Sequence, residues 1–277
     1  MLISHELLKE INKIQTEMLK HICDVCEQLQ IKFFMVHGSL LGTVRQNSFI
    51  DDDDDIDIAF FREDYNRFLQ EAPRLLPSNY FVQSNVSDPH YPLEFSKVRN
   101  SDTTYIIEIA KDLPINHGVY IDVFPIDYCK HGTLGAKIFN LKYKLRKLRV
   151  SYVWKAKKIS LKRKAVRVFV KTLCPSLKRS VKKIDKMLTS VKASDYVRVS
   201  GGKGKEQGIP RRWFASAQEA FFEGLKVYIP VGYKEYLTKI YGDYENRTLV
   251  ENKISDEQSI EVNACLIDLQ KPYKNYI

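Results

Sequence analysis

Several features that would assign the chain to a membrane or secreted class are missing from its 277 residues. No apolar run approaches the roughly 20 residues that a membrane-spanning helix needs. The first residues, Met-Leu-Ile-Ser-His-Glu, lack the basic and apolar pattern of a secretory signal. Only five cysteines occur, an odd and scattered set that suits a reducing compartment. These absences predict a cytoplasmic protein without a transmembrane helix.

Cysteine chemistry has little support in the sequence. Cys23-x-x-Cys26 has the spacing of some redox and zinc sites, but no second ligand pair follows it. Both cysteines fall in residues 4–30, where apolar residues recur every three or four positions and predict a long amphipathic helix. We therefore interpret both as buried free thiols on a helix that packs against the sheet.

Acidic residues are almost absent from residues 137–186, which contain 19 lysines and arginines and one acid, Asp185. The rest of the chain has 25 basic and 33 acidic residues, although the net charge is +10. Apolar residues at roughly helical spacing across residues 136–192 predict two or three basic amphipathic helices. Such helices bind anionic membranes, and the same composition also binds nucleic acids. The alternative, a helical face that is simply solvated, agrees less well with such an excess of basic over acidic residues.

The strongest signal is the acidic run Asp51–Asp55, which leads directly into an apolar stretch at residues 56–61. Such runs are usually solvated loops. Here Asp55 and Asp57 alternate with two isoleucines, which in a strand puts both carboxylates on one face. Desolvated carboxylates repel each other unless a cation lies between them. A hard divalent ion such as Mg²⁺, with Mn²⁺ as an alternative, prefers oxygen ligands and shares them with substrate phosphates.

The segment before this run predicts a phosphate-binding turn. Residues 31–36 indicate a strand, Gly38-Ser39 a tight turn, and residues 40–45 the start of a helix. Free backbone N–H groups and the positive end of the helix dipole bind phosphate at such a turn. Ser39 is also a good helix N-cap, which would be a structural role.

The two segments together resemble a known family. The string Gly38-Ser-Leu-Leu-Gly-Thr-Val-Arg45, then Phe-Ile and Asp-Asp-Asp-Ile-Asp-Ile, is similar to the LicD family, which has a nucleotidyltransferase fold of the polymerase-beta type. Its members transfer phosphocholine or similar phospho-substituents onto bacterial surface glycans, and fukutin-type ribitol-phosphate transferases are relatives. Where the family has Pro-Trp before three aspartates, this chain has Asp51 and Asp52.

A third carboxylate comes from the string Ile-Asp122-Val-Phe-Pro-Ile-Asp127, which resembles another LicD segment. Taken alone, Asp122 would be a structural carboxylate in an apolar strand at residues 119–124. The resemblance implies that it joins Asp55 and Asp57 as a catalytic metal ligand, because phosphoryl transfer uses bridging carboxylates from neighbouring strands. Asp127 follows a proline and is interpreted as a turn residue.

The donor-binding residues follow from the same resemblance. Lys97-Val-Arg99 is similar to the family's Lys-x-Arg segment and puts two cations on one strand face. The resemblance implies that Lys97 and Arg99 contact donor phosphates together with Gly38, Ser39 and Arg45. The alternative is a pair of solvated charges on an edge strand.

The resemblance returns near the C-terminus, in Val231-Gly-Tyr-Lys-Glu-Tyr-Leu237 and in Tyr241-Gly-Asp-Tyr244, and it is absent from the basic segment. The basic, glycine-rich loop at residues 200–205 lacks the context of a Walker loop and is interpreted as a linker or a mobile phosphate-facing loop. His37 and His117 are not assigned to the site, because lone histidines are usually structural.

These observations predict an α/β (α+β) fold with a nucleotidyltransferase-like core and mixed sheet at residues 1–135, a basic helical insert at 136–192 and a helical C-terminal part at 193–277. The implied function is Mg²⁺-dependent transfer of phosphocholine from CDP-choline, or of another group from a CDP-alcohol. The implied acceptor is a cell-surface glycan such as teichoic acid or its lipid-linked precursor. Residues 137–186 would hold the enzyme at the inner face of the cell membrane.

Two alternatives remain open. A nucleotidyltransferase acting on RNA or on a small molecule would use the basic segment to hold nucleic acid, and a non-catalytic protein would bind polyanions through a degenerate site. The LicD-like strings beyond the Gly-Ser and Asp-x-Asp pattern argue against the first, and the three carboxylates argue against the second. We therefore expect no nucleic-acid partner.

Overall fold

The computed structural model describes residues 1–154, 168–174, 176–200, 207–245 and 260–277. These residues form a mixed α/β fold, as predicted from the sequence. The helices are α1 (His5–Leu29), α2 (His37–Gln46), α3 (Arg62–Leu75), α4 (Leu134–Trp154), α5 (described over residues 168–173), α6 (Leu177–Leu188) and α7 (Tyr233–Tyr241). The strands are β1 (Leu2–Ile3), β2 (Phe34–Met35), β3 (Asp57–Phe61), β4 (Tyr80–Gln83), β5 (Ser96–Asn100), β6 (Thr104–Ile107), β7 (Val119–Tyr128), β8 (Tyr196–Val199), β9 (Ile209–Pro210), β10 (Ala217–Phe222), β11 (Leu225–Pro230), β12 (Ile260–Glu261) and β13 (Ala264–Asp268).

The long N-terminal helix follows its predicted pattern. The Ser4 hydroxyl caps α1 by accepting a hydrogen bond from the backbone N–H of Leu7, and Gln30 ends the helix in the left-handed region with φ 53°. The apolar side of α1 is buried and includes Cys26. Burial raises the pKa of the Cys26 thiol, and all five cysteines are free. The interpretation of Cys23 and Cys26 as buried free thiols is confirmed for Cys26, whereas Cys23 is free but half-buried.

The main sheet is mixed. Its strands lie in the order β2-β3-β7-β5-β4, β8 pairs with the far end of β7, and β9 pairs with β8. The pair β3–β7 is parallel, whereas the other pairs of this sheet are antiparallel. The ten-residue strand β7 is therefore central, because three other strands pair with it.

Helices α1 and α3 cover one face of this sheet and build the main core there. Phe60 of β3, for example, stacks on Phe68 of α3 with 5.0 Å between the ring centroids. Side chains alternate between the faces of a strand, so Asp57, three residues before Phe60, projects from the opposite face. The predicted metal ligands therefore lie on the side of the sheet away from α3.

Asp127 is not a turn residue, so that interpretation of the sequence is wrong. It lies in β7 and is buried, and its two carboxylate oxygens accept hydrogen bonds of 2.6 Å each from Arg62. The preceding proline misled the prediction. Pro125 pairs with Phe60 of β3. On the other side of β7 it lies between the residues that pair with β5 and those that pair with β8, so its missing N–H leaves no gap in either of those ladders.

The C-terminal part is not mainly helical, which corrects the expectation from the sequence. Its described residues contain one α-helix, α7, and two short 3-10 helices, whereas β10 and β11 form a hairpin and β12 and β13 pair with β1 and β6. The hairpin turn is Glu223-Gly224, and both residues have positive φ, 50° and 77°. A two-residue turn of this kind matches the twist of the strands that flank it.

Most of the described residues of the basic segment are helical. Residues 155–167 and 175 lie outside the described residues, as does most of the basic glycine-rich loop, residues 201–206. The Ser176 hydroxyl caps α6. Arg149 of α4 donates a hydrogen bond of 3.1 Å to the carbonyl oxygen of Cys174, and Asp185 of α6 accepts one of 3.2 Å from Arg62. The boundaries of the three predicted parts stay predictions.

Within the described ranges, no helix combines the length and apolar character that spanning a bilayer requires.

Candidate active site

Three neighbouring strands place two of the predicted ligands and a lysine side by side. Parallel pairing of β3 with β7 aligns Asp57 with Asp122, and antiparallel pairing of β5 with β7 aligns Asp122 with Lys97. The backbone N–H of Asp122 also donates a 2.8 Å hydrogen bond to the carbonyl oxygen of Ile56. Aligned residues of adjacent strands project from the same face, so these three side chains converge.

Asp55 completes the cluster from the loop just before β3. Asp55, Asp57 and Asp122 each offer a carboxylate oxygen, and the three atoms lie within 4.8 Å of one another. Asp122 is buried, whereas Asp55 and Asp57 are half-buried and reach the surface of the site. The structure therefore brings together all three carboxylates that the sequence predicted as metal ligands.

The electrostatics of the cluster favour a bound cation. Burial raises the pKa of Asp57 well above its usual range, and repulsion from Asp55 and Asp122 raises it further. The pKa of Asp55 is raised in the same way, by burial and then by its acidic neighbours. A cluster of hard oxygen donors with this much negative charge fits Mg²⁺ or Mn²⁺.

Lys97 partly offsets this charge. Its ammonium forms an ion pair with the Asp122 carboxylate, and its Nζ lies 3.5 Å from the centroid of the Tyr120 ring. Burial lowers the pKa of Lys97, while Asp122 opposes that shift. The alternative of a solvated edge lysine is wrong, because β5 lies between β4 and β7 and the side chain is buried.

Arg99 is buried on the same strand with neutral partners. Its Nε donates a 2.6 Å hydrogen bond to Oε1 of Gln83, and its Nη1 donates one of 2.7 Å to the carbonyl oxygen of Gly118. These bonds connect β5 to β4 and to the start of β7. They favour a structural role, and the predicted phosphate contact of Arg99 stays a prediction.

Gly38 and Ser39 lie within the first turn of α2, which begins at His37, three residues earlier than predicted. Ser39 is not the N-cap, because that position belongs to Val36, which makes no side-chain cap. Instead, the Ser39 hydroxyl accepts a 2.8 Å hydrogen bond from the backbone N–H of Asp57. The N–H groups in the first turn of a helix have no intrahelical acceptor and can bind a phosphate. The bond between Ser39 and Asp57 holds this candidate phosphate site beside the carboxylates.

The glycine at position 38 keeps this turn close to the aspartate run. A Cβ atom at Gly38 would come within 2.8 Å of Oδ2 of Asp53. Arg45 lies at the other end of α2, about 10 Å along the helix axis. Its Nη2 donates to the carbonyl oxygen of Tyr244, so the structure places Arg45 against the Tyr-Gly-Asp-Tyr string rather than the carboxylate cluster.

The residues that hold the aspartate run in place were not predicted from the sequence. The hydroxyl of Tyr105 donates a 2.5 Å hydrogen bond to Oδ2 of the buried Asp54. Gln15 of α1 donates from Nε2 to the carbonyl oxygens of Asp54 and Tyr120, at 2.9 and 3.1 Å. A buried glutamine on the apolar side of a helix was the one available signal.

Asp53, Asp54 and Asp55 also bring oxygens within 4.8 Å, but the bond from Tyr105 assigns Asp54 a structural role.

The two histidines occupy packing positions. His37 has φ 51°, packs edge-on against Phe124 at 5.2 Å, and lies with Nδ1 3.4 Å from the Tyr236 hydroxyl. His117 is buried, its Nε2 lies 3.0 Å from the carbonyl oxygen of Leu113, and burial lowers its pKa. Tyr236 belongs to the C-terminal string that resembles the family, and this contact joins that string to α2.

Comparison with known proteins agrees with this geometry. Residues 30–169 match the LicD family model, described as the LicD/FKTN/FKRP nucleotidyltransferase domain. The chain is also 23% identical over 245 residues to the lipopolysaccharide cholinephosphotransferase LicD of Haemophilus influenzae, a match that covers 86% of this chain and 91% of that protein. The matched region contains α2, β3, β5 and β7, which carry or adjoin every residue of the carboxylate cluster. The chain belongs to the LicD family and has its nucleotidyltransferase-like core.

Proposed function

We propose that this protein is a Mg²⁺-dependent phosphotransferase that moves a phospho-substituent, most simply phosphocholine from CDP-choline, onto a cell-surface glycan or its lipid-linked precursor. The observation that carries the proposal is the convergence of Asp55, Asp57 and Asp122 beside the first turn of α2. Family membership and a relative named as a cholinephosphotransferase support the reaction class.

The proposed reaction is a displacement at the β-phosphorus of the donor. A hydroxyl oxygen of the glycan forms a bond to that phosphorus, the bond to the bridging oxygen breaks, CMP leaves, and the hydroxyl proton is released. Asp55, Asp57 and Asp122 would hold the metal ion, which when bound neutralises charge on the diphosphate.

The chain's own residues would orient the donor. The N–H groups at the start of α2 offer hydrogen bonds to a phosphate oxygen, and the bond between Ser39 and Asp57 fixes their distance from the carboxylates. Lys97 holds Asp122 in place and adds a positive charge near the diphosphate. Its donor contact is part of the proposal, as are those of Gly38, Ser39, Arg45 and Arg99.

A panel of donors tests this proposal. The purified protein is incubated with CDP-choline, CDP-ethanolamine, CDP-glycerol or CDP-ribitol, with Mg²⁺ or Mn²⁺, and with a cell-envelope glycan fraction as acceptor. We expect CMP release to be fastest with CDP-choline and to require both the divalent ion and the acceptor. Faster release from another donor would mean that the transferred group is the one that this donor carries, and not phosphocholine. Release from none of them, with incorporation of nucleotide into RNA instead, would contradict the proposal.

A further inference from the structure

Helix α4 has apolar residues on two opposite sides. On one side, residues at seven-residue spacing are buried against the rest of the protein, namely Ala136, Tyr143 and Val150. On the other side, Leu134, Ile138 and Leu141 are 73%, 47% and 60% exposed. At 3.6 residues per turn, these three side chains share a stripe that faces away from the buried side. A helix that packs on the protein alone would need apolar residues on one side only.

Polar contacts fix the orientation of α4. The hydroxyl of Tyr143 donates a 2.9 Å hydrogen bond to Oε1 of Glu94, and Nζ of Lys147 lies 2.5 Å from the same oxygen. The guanidinium of Arg198 lies 4.5 Å from the centroid of the Tyr143 ring. Because Glu94 is buried and bonded to both Tyr143 and Lys147, rotation of α4 to bury its outer stripe would break these contacts.

The exposed apolar surface is concentrated in this part of the chain. Among the described residues, sixteen large apolar side chains are exposed, and seven of them belong to α4 and α5. In α5 they are Val168, Phe169 and Leu173. A contiguous exposed stripe such as that of α4 marks an interaction surface rather than ordinary solvated helix.

Basic residues border the stripe on both sides. Helical geometry puts Lys137 and Lys144 along one edge of the α4 stripe and Lys142 and Arg149 along the other. Aliphatic residues between rows of lysine are typical of helices that lie in the interface of an anionic bilayer. Nucleic-acid surfaces instead bind phosphates through basic and polar side chains and give exposed leucines little to contact.

We infer that α4 and α5 form a docking surface for an anionic lipid bilayer, with the apolar stripe entering the headgroup region and the flanking lysines contacting lipid phosphates. This surface lies outside the carboxylate cluster, and the inference does not depend on the proposed reaction. It would keep the enzyme where lipid-linked acceptors are held.

Vesicle cosedimentation of the full chain tests the inference. At about 0.1 M salt, we expect binding to vesicles of equal parts phosphatidylglycerol and phosphatidylcholine, none to pure phosphatidylcholine, and strong weakening at 1 M salt. The variant L134S/I138S/L141S is expected to bind the anionic vesicles at least about tenfold more weakly. The variant K142Q/K144Q is expected to bind about 25-fold more weakly, about fivefold for each lost charge.

Matched variants control for exposure and charge. L75S/V86S/I109S replaces exposed apolar residues elsewhere, and K234Q/K239Q removes two exposed lysines of α7. Both are expected to bind vesicles as the unmodified protein does. The inference is overturned if the unmodified protein ignores anionic vesicles at low salt, or if L134S/I138S/L141S binds them with undiminished affinity. Tighter binding to an RNA oligomer, unaffected by that triple substitution, would assign the surface to nucleic acid instead.

Discussion

Replacing Lys97 by methionine tests whether this lysine balances the charge of the three carboxylates. The substitution keeps most of the side-chain volume and removes the ammonium that pairs with Asp122 and lies over Tyr120. The side chains of Lys97 and Asp122 are 4% and 11% exposed, so water replaces the lost charge poorly. Three carboxylates would then face one another without this lysine.

The expected destabilisation of the metal-free protein is about 3–5 kcal/mol, the usual effect of removing one partner from a buried ion pair. For a chain of this size, 1 kcal/mol lowers the Tm by about 2–4 °C, so K97M should unfold about 6–20 °C below the unmodified protein. A divalent ion that binds the folded state would restore much of this loss.

Thermal unfolding in EDTA and in saturating Mg²⁺ measures both effects. K97R is the matched control, because it keeps the charge, and K97M/D122N removes both partners. We expect the double variant to be more stable in EDTA than K97M alone, since it leaves one carboxylate fewer without a counter-charge. Unchanged stability of K97M in EDTA, together with no extra gain from Mg²⁺, would refute the view that Lys97 balances the charge of the cluster.

Other consequences follow from the same contacts. D57N should abolish transfer without lowering metal-free stability, because it removes a ligand and also a repulsion; near-normal turnover at saturating Mg²⁺ would contradict the ligand assignment. Because the pKa values of Asp55 and Asp57 are raised on folding, metal-free stability should fall as pH rises above 3.8, the ordinary aspartate value. Thermal unfolding between about pH 4 and 8 should show this slope in EDTA, a smaller slope in D57N, and little in Mg²⁺. A Cβ at Gly42 would meet the Ser48 carbonyl oxygen at 2.2 Å, so G42A should lower stability by about 1–3 kcal/mol. In the control G135A, the new Cβ would lie 3.8 Å from the Thr133 hydroxyl, an ordinary contact, so this variant should be neutral or slightly stabilising in the same unfolding assay.

Local patterns predicted much of the fold. The amphipathic α1 and the apolar strand that follows the acidic run are present as expected. The patterns that predicted these elements are local, because hydrophobic periodicity and turn residues extend over only a few neighbouring positions. The carboxylate cluster was predictable for a different reason, since Asp55 and Asp57 are close in sequence and Asp122 followed from family resemblance.

Features that depend on long-range pairing were not predictable. Lys97 is buried because β7 and β4 flank its strand, and nothing near residue 97 indicates those neighbours. Asp127 is held in β7 by Arg62, which is 65 positions away. The support that Gln15 gives to Asp54 likewise needs the packing of α1 against the sheet.

The most direct test of the account is the Mg²⁺ dependence of CMP release, measured with the best donor of the panel for the unmodified protein and for D122N. Asp122 is the proposed ligand at the centre of the row formed by β3, β7 and β5. The account predicts background release by both proteins in EDTA, a saturable rise with Mg²⁺ in the unmodified protein, and a rate at least about 100-fold lower in D122N at saturating Mg²⁺. Turnover by the unmodified protein in EDTA, or a D122N rate within tenfold of it at saturating Mg²⁺, would contradict the metal-dependent centre proposed for this site.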